Sequence, residues 1–151
     1  MFCPQILEPR HVFLLRPVEI PSHTWLQVEG DIAAWRDIKT WPNSTNKVCP
    51  ITGEAAHRQY APKLEDLLWS ANATNVTISG SGTIDGGGWR WWPLRNDTTH
   101  GEYWHNCRPS LVSAGRTVGP GGRFCDSGVS DFTLRDVTLL DSPFWVISWA
   151  P

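Results

Sequence analysis

Three aspartates recur every five residues near the end of the chain, at Asp131, Asp136 and Asp141. Paired carboxylates are what acid/base hydrolysis requires: one protonates a leaving oxygen while the other, roughly 6.5–9.5 Å away in an inverting enzyme, activates water. Their setting points to a different role. Asp131 and Asp136 each open a short run of apolar residue, Thr, apolar residue, and Asp141 precedes Ser142-Pro143; at such places an Asx side chain bonds the backbone just ahead and sets a bend. No catalytic residue is therefore assigned. A second constellation is aromatic and basic: Trp89, Arg90, Trp91, Trp92 and Arg95, then Tyr103-Trp104-His105. Indole faces can stack on sugar rings, and guanidinium groups grip carboxylates through paired hydrogen bonds, which makes Trp91, Trp92 and Arg90 candidate substrate contacts. The bland reading is that these residues pack an insertion onto the flank of the fold, each Trp burying roughly 150–250 Å².

Neither a metal nor a cofactor is expected. Cys3, Cys49, Cys107 and Cys125 contain no C-x-x-C pair, the five histidines are scattered, and Gly86-Gly87-Gly88 runs into Trp89 where a phosphate loop would carry Lys-Ser/Thr. Cys107 and Cys125 bracket the turn-rich Gly119-Pro120-Gly121-Gly122, so a bridge between them would tie the base of an insertion; two buried thiols are the alternative, and four cysteines allow three pairings.

The elements that must position these groups are short. The 151 residues carry 13 Gly and 12 Pro, which break long helices, and ten Trp against two Tyr. Thirteen basic against fifteen acidic residues leave a net charge of −2. Without a Lys/Arg run there is no footprint for nucleic acid or an anionic membrane surface. No apolar stretch approaches the roughly 20 residues of a bilayer-spanning helix.

Strand-like runs bounded by turn residues occur at 12–15, 25–28, 32–35, 67–69, 76–78, 83–84, 111–113, 132–134, 137–140 and 145–148. Lys63 to Ser70 reads equally as a helical turn or a strand. Asn75-Val76-Thr77-Ile78, Asp131-Phe132-Thr133-Leu134 and Asp136-Val137-Thr138-Leu139 repeat one pattern, a bend residue followed by alternating β-formers. The distance from Asn75 to Asp131, less two insertions at about residues 86–107 and 116–128, is about 21 residues, one coil of a stacked repeat. The expectation is an all-β parallel β-helix of about three coils with long Trp-, Gly- and Pro-rich insertions, in which Val76 and Ile78 lie over Phe132 and Leu134, and Ile84 over Val137 or Leu139. A β-sandwich is the rival, but it does not require Asx at a fixed phase.

The stretch from Asn75 through Gly82-Thr83-Ile84-Asp85-Gly86-Gly87-Gly88-Trp89 to Trp91-Trp92 resembles the N-terminal portion of the polygalacturonase family, glycoside hydrolase family 28. So do the opening coil from Phe13 to Thr24, Arg108-Pro109-Ser110-Leu111-Val112, and Val137 to Trp145 with its Ser142-Pro143-Phe144-Trp145. Residues 11–149 are covered in order. The resemblance implies a right-handed parallel β-helix, hydrolysis of pectic polysaccharide, and galacturonate carboxylates as what Arg90 and its neighbours would meet. The family's catalytic Asn-Thr-Asp and Asp-Asp, and its supporting Gly-His-Gly and Arg-x-Lys, do not occur here; Asn96-Asp97-Thr98 has the first motif's residue types in another order. In the family those motifs follow the Ser-Pro-Phe-Trp coil by several strands. The expectation is therefore a single N-terminal part of the enzyme domain, residues 1–151, inactive alone. The different-class alternative is a non-catalytic solenoid that binds wall polysaccharide through its Trp-rich loops.

Asn43, Asn72 and Asn96 stand in N-x-S/T sequons and are candidate glycosylation sites, which favours secretion or a cell-wall location for the parent protein. Asn75 also stands in a sequon but opens a strand expected to be committed to packing. Met1-Phe2-Cys3-Pro4 does not begin a signal peptide, having neither a basic start nor an apolar run.

Overall fold

The computed structural model describes residues 12–51, 59–96, 103–118, 124–126 and 128–149. Cys3 and the glycine-rich stretch 119–123 lie outside them. Fifteen strands are present among the described residues: β1 (Val12–Leu15), β2 (Val18–Glu19), β3 (Thr24–Gln27), β4 (Asp31–Ala34), β5 (Asn43–Pro50), β6 (Tyr60–Leu64), β7 (Leu68–Ser70), β8 (Thr74–Ser79), β9 (Thr83–Asp85), β10 (Val112–Ala114), β11 (Arg116–Val118), β12 (Phe124–Asp126), β13 (Ser130–Arg135), β14 (Thr138–Leu140) and β15 (Ile147–Trp149). A single turn of α-helix, α1 (Tyr103–Asn106), and three short 3₁₀ turns complete the description.

Eleven strands build three sheets in which every pairing is parallel. The first sheet has the order β1-β4-β9-β14, the second β2-β7-β10-β15 and the third β3-β8-β13. The chain visits first, second and third sheet in that cyclic order, so the strands beside each other in a sheet are far apart in sequence. A β-sandwich would pair its strands mainly antiparallel; among the described residues antiparallel pairing is confined to two excursions, β5–β6 and β11–β12. Lys63 to Ser70 resolves as the end of β6, a bend, and β7.

Register follows from alternation. A strand points successive side chains to opposite faces, so a one-residue slip would turn every apolar side chain outward. Val76 pairs with Phe132 and Ile78 with Leu134, as the repeated pattern implies, and Leu26 joins the Ile78 column from the other side. In the first sheet Ile32, Ile84 and Leu139 form the column, so Ile84 lies over Leu139 and not Val137. In the second, Val18, Leu68, Val112 and Ile147 are aligned. Layers in the middle of the stack are covered on both sides, and those at the ends on one: Leu68 and Val112 are buried, whereas Val18 and Ile147 are 38% and 49% exposed.

The bend residues stack as well. His23, Asn75 and Asp131, each one residue before the paired Thr24, Val76 and Phe132, share left-handed backbone (φ 59°, 55° and 54°). Asx tolerates this conformation because its short side chain can bond locally. Asn75 is thus an exposed bend residue whose amide faces the His23 ring at 3.5 Å, and its side chain is not committed to packing. Gly80 (φ 137°) marks the next corner: a Cβ there would lie 2.1 Å from the Val28 carbonyl oxygen, so only glycine lets the two backbone layers meet.

Candidate functional site

Pairing sets Glu19, Trp69, Ser113 and Ser148 side by side across the second sheet, one position along from the buried Leu68 and Val112 and therefore on its outer face. The hairpin β5–β6 covers this face. From β5, Lys47 reaches Ser113 Oγ at 3.1 Å, Asp66 Oδ2 at 2.8 Å and Glu65 Oε1 at 3.2 Å, with its ammonium 5.4 Å from the Trp69 ring centre. From β6, Lys63 reaches Asp66 Oδ1 at 2.5 Å and Ser110 Oγ at 3.3 Å. The Ser110 backbone N–H also donates to Asp66 Oδ1.

Two ammonium groups and two carboxylates thus form a buried, charge-balanced cluster. Burial alone would raise the Asp66 pKa, but the Lys63 and Lys47 charges and their hydrogen bonds outweigh it and hold the carboxyl well below the usual carboxylate range. Burial lowers the Lys63 pKa, a shift that Asp66 only partly opposes. Asp66 is accordingly a fixed anion saturated with donors. It anchors two lysines and is not a group that could deliver a proton.

The cluster forms one wall of a cleft of about 220 Å³. Lys47, Val48, Cys49 and Pro50 come from β5, Lys63 from β6, Asn106 from the end of α1, and Ser148 from β15; Phe144 and Trp145 close the far side. A disulfide between Cys49 and Cys107 holds the hairpin to the segment that leads into β10. This corrects the expected Cys107–Cys125 bridge. Cys107 is already bonded across a sequence separation of 58 residues, and the segment around Cys125 closes through strand pairing instead, with Thr117 opposite Cys125 in β11–β12.

The Trp-rich stretch divides between the two readings. Trp91 is 1% exposed and meets Trp41 edge-on, with ring centres 5.5 Å apart. That excludes it as a substrate contact: its surface is already spent on packing. Trp41 donates its Nε1–H to the Glu65 carbonyl, which ties this aromatic pair to the lysine cluster. Trp92 remains 46% exposed while its Nε1–H is held by the Ser142 carbonyl, and Trp89 is 55% exposed with the Arg90 guanidinium 4.1 Å over its ring. Arg90 and Trp92 can therefore meet solvent, on a surface separate from the residues that line the cleft. Arg108, from the family-like Arg-Pro, donates to the Pro143 and His105 carbonyls and stacks on Phe144, fixing the cleft's aromatic wall from behind.

Asn43, Asn72 and Asn96 are all exposed, although Asp97 and Thr98 of the last sequon lie outside the described residues. Asp131, Asp136 and Asp141 occupy exposed bends with φ of 54°, 64° and 45°. The described residues contain no group of three His, Cys, Asp or Glu placed to hold a metal ion, and no helix long and apolar enough to cross a membrane. Lys47, Lys63 and Asp66 escaped the sequence reading. Lys63 and Asp66 at a three-residue spacing were the available local signal, but the second lysine arrives from a different strand.

The fold is similar to that of a solved glycosidase. A hyperthermoactive exopolygalacturonase from Thermotoga maritima matches over 91% of this chain at 22% identity, with a TM-score of 0.59. The chain spans 34% of that structure's length. At this identity the likeness shows the fold alone. No family model matches the chain, and no curated protein does.

Proposed function

We propose that this chain is the N-terminal part of a right-handed parallel β-helix glycoside hydrolase acting on pectic, galacturonate-containing polysaccharide. About three coils supply scaffold and the outer face on which substrate lies, and the catalytic carboxylates belong to strands that continue the same three sheets. The observation that carries the reading is the agreement between two likenesses: family-like segments in order through residues 11–149, and a structural match over 91% of the chain to an exopolygalacturonase. The far end of the stack supports continuation, because Ile147 and Trp149, paired with the buried Val112 and Ala114, are themselves 49% and 45% exposed, and such edges are covered in finished folds. The Cys49–Cys107 bridge suits an oxidising compartment, and exposed Asn43, Asn72 and Asn96 suit a glycosylated, secreted or wall-bound protein.

The test is the release of reducing ends from polygalacturonate. The protein isolated from its source hydrolyses this polymer, and the 151-residue chain expressed alone does not. Absence of hydrolysis of any pectic polymer by the source protein would overturn the reading. It would favour the binding solenoid, whose exposed contacts are Trp89, Arg90 and Trp92.

A further inference from the structure

The cleft between the β5–β6 hairpin and β15 has a charge inventory that sets what it can hold. Lys47 spends all three N–H groups on Glu65, Asp66 and Ser113. Lys63 spends two of three, on Asp66 and Ser110. A carboxylate entering the cleft would find at most one open ammonium N–H, and it would stand beside an ionised Asp66 that already claims both lysines. Like charge at such range is repulsive, and one shared ammonium N–H offsets only part of the cost of taking a second anion out of water.

The rest of the lining favours a polyhydroxylated ring. Trp145 is 59% exposed and meets Phe144 edge-on at 5.2 Å. Its backbone is held, the carbonyl accepting from the Leu111 N–H and Ser142 Oγ, and its ring rests on Phe144, on which buried Arg108 also stacks. The result is an aromatic shelf. The same cleft is lined by Ser148, whose hydroxyl makes no hydrogen bond among the described residues, and by Lys63, which has a third N–H to offer. A volume near 220 Å³, below the ~300–1,000 Å³ of pockets for drug-sized ligands, holds about one ring.

We propose that this cleft is a carbohydrate subsite that takes one uncharged pyranose and rejects a uronate. The apolar face of the ring stacks on Trp145, and its hydroxyls bond Ser148 and Lys63. The inference deepens the reading above and rests on it for the ligand being carbohydrate. It adds that this position on the surface is filled by a neutral sugar of the polymer and not by galacturonate.

The probes are methyl α-D-galactopyranoside and methyl α-D-galactopyranosiduronate, which differ only at C6. Titrated calorimetrically at pH 7 into the full-length protein, the neutral glycoside binds at least tenfold more tightly than the uronate. Trp145→Ala loses that binding at least tenfold, with an unchanged melting temperature because the ring is largely exposed. Ser148→Lys adds an unpaired cation to the cleft and narrows or inverts the preference. Equal or tighter binding of the uronate by the unaltered protein would overturn the proposal. So would binding of the neutral probe that survives Trp145→Ala, or no binding of either probe at tens of millimolar. Hydrolysis of polygalacturonate is read separately, so the subsite can fail while the hydrolase reading stands.

Discussion

The interior of the three-sheet stack and the hairpin that clads its second sheet are held by opposite means. Inside, Val76, Ile78, Ile84 and Leu68 are fully buried apolar columns whose neighbours are supplied by the next layer. Outside, β5–β6 is held by a two-lysine, two-carboxylate cluster, a disulfide, and the Trp41–Trp91 pair. Stacked apolar columns can be extended by repetition and need no particular partner beyond size and alternation. The hairpin needs particular residues from five separate places in the chain. The scaffold is thus generic, and the groups that could recognise a ligand lie where the interactions are specific.

The largest effect that separates the two regions comes from Asp66. Asp66→Ala leaves buried Lys63 without a carboxylate and Lys47 with Glu65 alone, and costs about 3–5 kcal/mol of stability. Replacing Lys47, Lys63, Glu65 and Asp66 together by apolar residues of similar volume costs much less, because no charge is left unpaired. Equal losses in urea denaturation of the two variants would contradict the role given to the cluster. Ile78→Ala removes part of a column that is 0% exposed and costs about 2–5 kcal/mol, read as a lower urea midpoint with an unchanged slope.

Reduction of Cys49–Cys107 costs about 2–5 kcal/mol for a structural bridge in a small domain. The loss concentrates in the hairpin. Hydrogen exchange after reduction accelerates first in 43–50 and 60–64 while β8 and β9 stay protected; simultaneous loss in all of them would remove the distinction between the two regions.

Acid provides a smaller, graded test. Asp66 has a depressed pKa in the folded state, so its contribution to stability is fully present above the unfolded value near ~3.9 and is lost as pH falls below it. Stability therefore declines below about pH 4, and the decline is shallower in the variant with all four charged side chains of the cluster replaced. The smallest effect is at Trp89: Trp89→Ala changes stability by no more than about 0.5 kcal/mol, as expected of an exposed ring, whereas Trp91→Ala, two residues away, costs about 3–5 kcal/mol. Similar melting temperatures for the two would contradict the division between packed and exposed indoles.

The scaffold was legible because its determinants are local and periodic. Alternation around Val76-Thr77-Ile78 and Phe132-Thr133-Leu134, with Asx one residue ahead, fixes both register and bend, and the structure pairs those residues accordingly. The hairpin was not, since Asn43–Pro50 and Tyr60–Leu64 carry no such alternation and are held by contacts made elsewhere. Cysteine pairing was illegible for a related reason: which thiols meet depends on where β5 lies over the second sheet, and spacing along the chain favoured 107 with 125. Within the Trp-rich stretch, composition could not tell that Trp91 turns inward onto Trp41 while Trp89 and Trp92 remain exposed.

The central claim is that these three sheets are one end of a longer polysaccharide hydrolase. It is tested most directly by the intact mass of the protein from its source after enzymatic deglycosylation. The account predicts a single polypeptide well above the 17.0 kDa of this chain. A mass of 17.0 kDa would contradict it and leave the exposed indoles and the neutral-sugar cleft as the working parts of a binding protein.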